Sequence, residues 1–111
     1  MDDSLLAFHY ADRAKAFILE TFHLFEYYQQ LNNCRELMLE ILKGCEKEIT
    51  LGKNICSKIT WAKDYFEEAS KLARELIRDF NRGDNEQVKE DLRNMLNKMT
   101  TCAATAEKNI N

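Results

Sequence analysis

A continuous heptad stripe crosses the middle of this chain. Steps of three and four residues join Leu31, Cys34, Met38, Ile41, Cys45, Glu48, Gly52, Ile55, Ile59, Ala62, Phe66, Ala69, Ala73, Leu76 and Phe80, and only Glu48 among them is charged. A repeat of this kind holds one seam of a helix against a partner helix, so a packing surface runs through nearly half the chain. No proline interrupts it, and there are none elsewhere in the 111 residues. With three glycines there are also few of the turn signals that strands packed into hairpins require. The pattern therefore predicts an all-α protein, an elongated antiparallel helical bundle forming a single domain over residues 1–111.

Two turns are well signalled, and they divide the chain into helices of about 4–31, 34–81 and 84–108. The first helix has Asp3 or Ser4 as its N-cap and a wide apolar arc. Leu6, Tyr10, Ala14, Phe17, Leu24, Tyr28 and Leu31 form one edge of it; Ala7, Ala11, Ile18, Phe22 and Phe25 form the other. Together they span roughly half the circumference, against ~100° for a simple surface helix, which calls for two or more packing neighbours. Asn33 with Glu36, and Asp84 with Gln87 after Asn81-Arg82-Gly83, have the spacing of a capping box. The last helix carries Val88, Leu92, Met95, Met99, Cys102 and Ala106 at heptad spacing and ends near Lys108.

Thr50 to Asn54 is the ambiguous point. A stop at Gly52 makes a short second helix and a four-helix bundle. Against that, Asn54 has no Glu or Gln three residues on, and the heptad frame runs through the glycine without a slip. Gly44 and Gly52 each weaken a helix by ~1 kcal/mol relative to alanine, which a long packed helix tolerates. The favoured expectation is one helix over 34–81, roughly 70 Å long at 1.5 Å per residue. Seams left open by so long a helix are filled by a homodimer.

Composition narrows the function classes. Hydrophobic residues make up 45% and charged residues 32%, a globular mixture. The net charge of −3 arises in the first third, where Asp2, Asp3, Asp12, Glu20 and Glu26 meet only Arg13 and Lys15. No basic face exists to neutralise a phosphate backbone, so nucleic acid is not expected as a partner. No apolar run reaches membrane-spanning length and no signal segment is evident, which gives a cytoplasmic expectation.

The cysteines bear on the alternative. Cys34, Cys45 and Cys56 are eleven residues apart and Cys102 stands alone. On one continuous helix the first three are about 16 Å apart, too far to bond. A turn at Thr50-Leu51 instead sets Cys45 opposite Cys56, as in a small secreted, disulfide-stapled inhibitor or ligand-like bundle. Cys56, Gly83-Asp84, Val88, Leu92, Leu96 and Thr101-Cys102 loosely resemble the helical hairpin of plant invertase and pectin methylesterase inhibitors. The resemblance covers residues 56–102 and implies a secreted four-helix bundle with two helices clipped by a disulfide. Two departures count against it: the stretch before Gly83 is about two helical turns too long, and the family's cysteine-bridged N-terminal hairpin has no counterpart.

Chemical motifs are sparse. Glu20 and His23 have the Glu-x-x-His spacing of di-iron bundles, but no second copy occurs and both fall with His9 on the polar side of the first helix. Ser4, Ser57 and Ser70 lie in no nucleophile elbow, and no glycine-rich phosphate loop exists. No catalytic residue, metal ligand or cofactor is therefore expected. Trp61, Tyr65 and Leu72 form a row beside the main seam, interrupted by Glu68, and are the candidate partner-binding residues. The expectation is a non-enzymatic interaction or scaffolding module that self-associates through helix packing.

Overall fold

A computed structural model describes residues 2–110. Four helices follow one another: α1 (Asp3–Gln29), α2 (Arg35–Ile55), α3 (Thr60–Asn81) and α4 (Asn85–Lys108). Helix α1 packs against α2 and α4, and α3 packs against the same two. Short connections make each successive helix antiparallel to the last, which is the up-down-up-down bundle. Its principal extents are 49 × 20 × 18 Å, too short for a helix of roughly 70 Å. The single helix expected over 34–81 does not form, and the four-helix alternative does.

The break lies at Cys56–Ile59, four residues beyond Gly52. Ile59 N–H donates to Cys56 O at 3.0 Å to close the turn, and no side chain caps either helix end. Cys56 and Ile59 are buried, whereas Ser57 and Lys58 between them are exposed. Burial at both ends of the turn therefore holds it, without a proline, a glycine or a cap. The buried column shows why the heptad stripe misled. In α2 it runs Met38, Leu42, Cys45, Ile49, Gly52 and Cys56; in α3 it runs Ile59, Ala62, Phe66, Ala69, Ala73, Leu76 and Phe80. Ile41, Glu48 and Ile55, which the stripe put on the seam, are only partly buried. Two consecutive three-residue steps, Cys56–Ile59–Ala62, break the alternation of threes and fours and separate two heptad frames.

Gly52 is fully buried within α2, where a Cβ would lie 2.5 Å from the Phe66 ring. It is a packing glycine that admits an aromatic ring against the helix backbone. The other connections use local chemistry. Asn33 adopts φ 64°, the left-handed region that asparagine tolerates, and Cys34 is the N-cap without a side-chain bond. The Asn33–Glu36 capping box is thus not formed, because a left-handed residue is outside the extended geometry an N-cap requires. Gly83 at φ 82° turns the chain into α4, and Asp84 Oδ1 accepts from Gln87 N–H at 3.1 Å, as the spacing predicts. Asp2 caps α1, its carboxylate accepting from Ser4 N–H at 3.0 Å.

Phe25, Phe66, Phe80, Leu42, Ile49, Leu76, Leu92, Met95 and Met99 fill the core. Each such side chain contributes roughly 1.5–3 kcal/mol by leaving water. Phe25 meets Phe80 edge to face at 6.0 Å between centroids, and the Arg35 guanidinium covers Phe80 at 4.5 Å. Ala7, Ala11 and Ala14 are the buried residues of the first half of α1 besides Ser4, so its neighbours approach closely there.

Candidate functional site

The α3 row that begins with Trp61 borders α4. Within it, Glu68 Oε2 pairs with Lys98 Nζ at 2.9 Å across the two helices, and farther along Asp79 faces Asp91. Trp61, Tyr65 and Leu72 are half-buried and pack on the core from this edge. Continued by helical spacing, the row passes Glu75 and ends at Asp79, where the seam becomes polar. There a groove of about 420 Å³ is lined by Glu75, Arg78, Asp79, Arg82, Asp84, Gln87 and Asp91.

Asp91 is the unusual member. It is 2% exposed, Gln87 Nε2 donates to its Oδ1 at 3.0 Å, and its Oδ2 has no partner. Burial pushes its pKa up to about 7, and the neighbouring Asp79 carboxyl acts in the same direction. The bond to Gln87 opposes the rise, while the negative charges of Asp79 and Glu75 add to it. Two carboxyl groups this close repel as anions, which favours the neutral form of Asp91. From outside, Arg82 Nη1 approaches Asp79 Oδ1 at 3.6 Å. Sequence reasoning overlooked Asp91, although it lies three residues after Val88 and four before Met95, both buried.

Of the seven exposed large apolar side chains among the described residues, Leu5, Leu19 and Tyr27 belong to α1, Leu19 on its α4 side, and the other four are associated with the α1–α2 seam. Leu37, Ile41, Gly44, Glu48, Leu51 and Ile55 form the row of α2 that borders α1, since Gly44 lies against Phe17 and Glu48 pairs with Arg13. Leu37 is 46% and Leu51 40% exposed, and Phe17 and Leu31 of the first segment are exposed as well. Between the helices a cleft of about 350 Å³ is lined by Phe17, Glu20, Thr21, Leu24, Glu40, Ile41 and Gly44.

Glu20 and His23 diverge: Glu20 borders this cleft, and His23 borders the one between α1 and α4 with Phe22, Leu92 and Arg93. Among the described residues no three His, Cys, Asp or Glu side chains are placed to hold a metal ion. All four cysteines are free. Cys45 and Cys56 sit three turns apart along α2, about 16 Å, so the turn does not bring them face to face. Burial raises the Cys45 and Cys102 thiols to about 12 and that of Cys56 to about 11. Such thiols are poor nucleophiles. No described helix is long and apolar enough to cross a membrane.

No protein-family model matches the chain, and neither a curated protein nor a solved structure shows significant similarity to it.

Proposed function

We propose that this chain is a non-enzymatic protein-interaction module that pairs with a second copy of itself through the outer face of α1 and α2. The observation that carries this reading is the unequal covering of α1. Its arc is wider than two neighbouring helices can bury, and part of the excess emerges beside an α2 row that is apolar except for Glu48. Phe17, Leu31, Leu37 and Leu51 remain exposed along that face, with Leu24 and Ile41 half-buried between them. Clustered apolar surface of this kind marks interaction sites on soluble domains, whereas scattered single residues do not. A self-complementary patch closes as a twofold dimer. The Trp61, Tyr65 and Leu72 edge is a second surface in this reading, open to a different protein.

Light scattering tests the proposal. A dimer has twice the chain's 13.0 kDa, and Leu37→Glu and Leu51→Glu, both at exposed positions, shift it to the monomer with helicity unchanged. A mass of one chain at every concentration up to about 1 mM refutes self-association, since weaker binding is worth less than ~4 kcal/mol.

A further inference from the structure

We propose that the α2–α3 turn is a hinge that opens into one continuous helix, so that two copies of this chain exchange their helical hairpins. In the exchanged dimer the α1–α2 hairpin of one copy packs on the α3–α4 hairpin of the other. Three observations carry this. First, the turn holds nothing that stops a helix. Residues 56–59 include no glycine or proline, and among the described residues no side chain caps the end of α2 or the start of α3. Both other connections do hold a stop. Asn33 at φ 64° and Gly83 at φ 82° are left-handed, a conformation a right-handed helix does not admit, and Asp84 caps α4. At the hinge, Cys56 has φ −92° and ψ 12°, and Ile59 has φ −95° and ψ 95°. Both φ values lie on the helical side, so these two residues reach helix geometry mainly by rotation of ψ, the larger one at Ile59.

Second, the apolar stripe is continuous only when the turn is open. Gly52, Ile55, Ile59, Ala62 and Phe66 follow one another by threes and fours. The closed monomer departs from that frame at Cys56 and leaves Ile55 partly buried. A straight helix brings Ile55 and Ile59 onto one seam, facing the long helix of the second copy. Third, the exchange remakes what opening breaks. The α1–α2 and α3–α4 hairpins stay paired within each chain, while the α1–α4 and α2–α3 interfaces re-form between chains, the approach of Gly52 to Phe66 included. Short hinge loops invite such an exchange, and its cost is the lost freedom of one chain, which concentration offsets. Each long helix spans roughly 70 Å. The exchanged dimer is therefore about twice as long as the 49 Å monomer. It does not use the outer face of α1 and α2.

Refolding the full chain from urea at about 1 mM, then diluting, tests the hinge. The Leu37→Glu, Leu51→Glu double variant serves as host, because it removes pairing through the outer face. Light scattering reads the mass and small-angle X-ray scattering the length. Mixing isotope-labelled with unlabelled chains before refolding shows, by filtered NOE spectra, whether Gly52 Hα meets the Phe66 ring within one chain or between two. Expected is a dimer of twice 13.0 kDa, elongated, with that contact between chains, reverting to monomer as slowly as the chain unfolds. Ser57→Gly with Lys58→Gly, both at exposed positions, lowers the dimer yield by roughly tenfold or more with the monomer's helicity unchanged, because glycine opposes a continuous helix. Ser57→Ala raises the yield severalfold for the converse reason. If the host variant does not fold, the Gly52–Phe66 contact makes the same distinction in the unsubstituted chain, since pairing through the outer face keeps it within one chain. The proposal is overturned by monomer alone after refolding, by a dimer whose Gly52–Phe66 contact stays within one chain, or by a dimer yield that the two glycines do not lower.

Discussion

Replacing Gly52 by alanine sets two effects of opposite sign against each other. An alanine inside a helix stabilises it by about 1 kcal/mol relative to glycine. At position 52, however, the added Cβ would lie 2.5, 3.1 and 3.3 Å from three atoms of the Phe66 ring. The first distance is inside van der Waals contact, and the Phe66 ring has no room to yield, being 0% exposed in the middle of the core. Inserting a methyl into a filled core costs roughly 1–3 kcal/mol, and this contact belongs at the upper end. The net expectation is a loss of about 1–2 kcal/mol. Gly44 is the internal control, because it lies in the same helix and a Cβ there would meet only Phe17, at 3.9 Å. Gly44→Ala thus keeps the helix gain and stabilises by up to about 1 kcal/mol. Urea unfolding followed by circular dichroism reads both, as midpoints moving in opposite directions at a constant slope. A third variant isolates the cause: on a Phe66→Leu background the penalty of Gly52→Ala shrinks or reverses, since the colliding ring atoms are gone. Equal stabilisation by Gly44→Ala and Gly52→Ala would refute the close approach and the α2–α3 packing built on it.

Two further predictions concern protons. Asp91 titrates near 7 when folded and near 3.9 when unfolded, so between these values the folded state holds a proton that the unfolded state has lost. That group's contribution is therefore greatest below pH 4 and is lost as pH rises to 7, with a slope of up to about 1.4 kcal/mol per pH unit. Asp91→Asn removes that slope, and urea midpoints showing the same pH profile for both proteins would refute the raised Asp91 pKa. The thiols give the second. Iodoacetamide applied to the native protein labels half-exposed Cys34, while buried Cys45, Cys56 and Cys102 react only on unfolding, as intact mass reports. Their raised pKa values also mean that stability falls as pH climbs through the unfolded thiol range near 8.5 toward 11. Modification of Cys56 or Cys102 at the rate of Cys34 would contradict their burial.

Much of the architecture was legible because helix periodicity is a local property. The last helix read correctly from Val88 to Ala106, and the Asn81-Arg82-Gly83 turn carries a glycine where φ is positive and a capping aspartate just after it. The wide arc of α1 was legible too, and it raised the question of what covers its edges. The α2–α3 break was not. Ile41 and Leu42, and Ile55 and Cys56, are adjacent apolar pairs, so two heptad frames that share Met38, Cys45 and Gly52 both satisfy the pattern. Neighbours on a helix differ by 100°, and only the helix lying opposite decides which of each pair is the core residue. Gly52 was ambiguous for a related reason. A glycine that ends a helix and one that admits a ring against it leave the same letter in the sequence.

The candidate sites divide along the same line. The Trp61, Tyr65 and Leu72 row follows from spacing within one helix, but its position beside α4 depends on the Glu68–Lys98 pair, thirty residues apart in sequence. By itself the sequence determined that the chain is all-helical, with an apolar seam along each segment and a turn at Gly83. Only the tertiary structure decided that α2 ends at Cys56, that Gly52 is a contact, and that Asp91 is buried facing Asp79. The physical reason is that backbone hydrogen bonds within a helix join residues four apart, whereas burial, proton affinity and an unpartnered oxygen are set by the neighbouring helix.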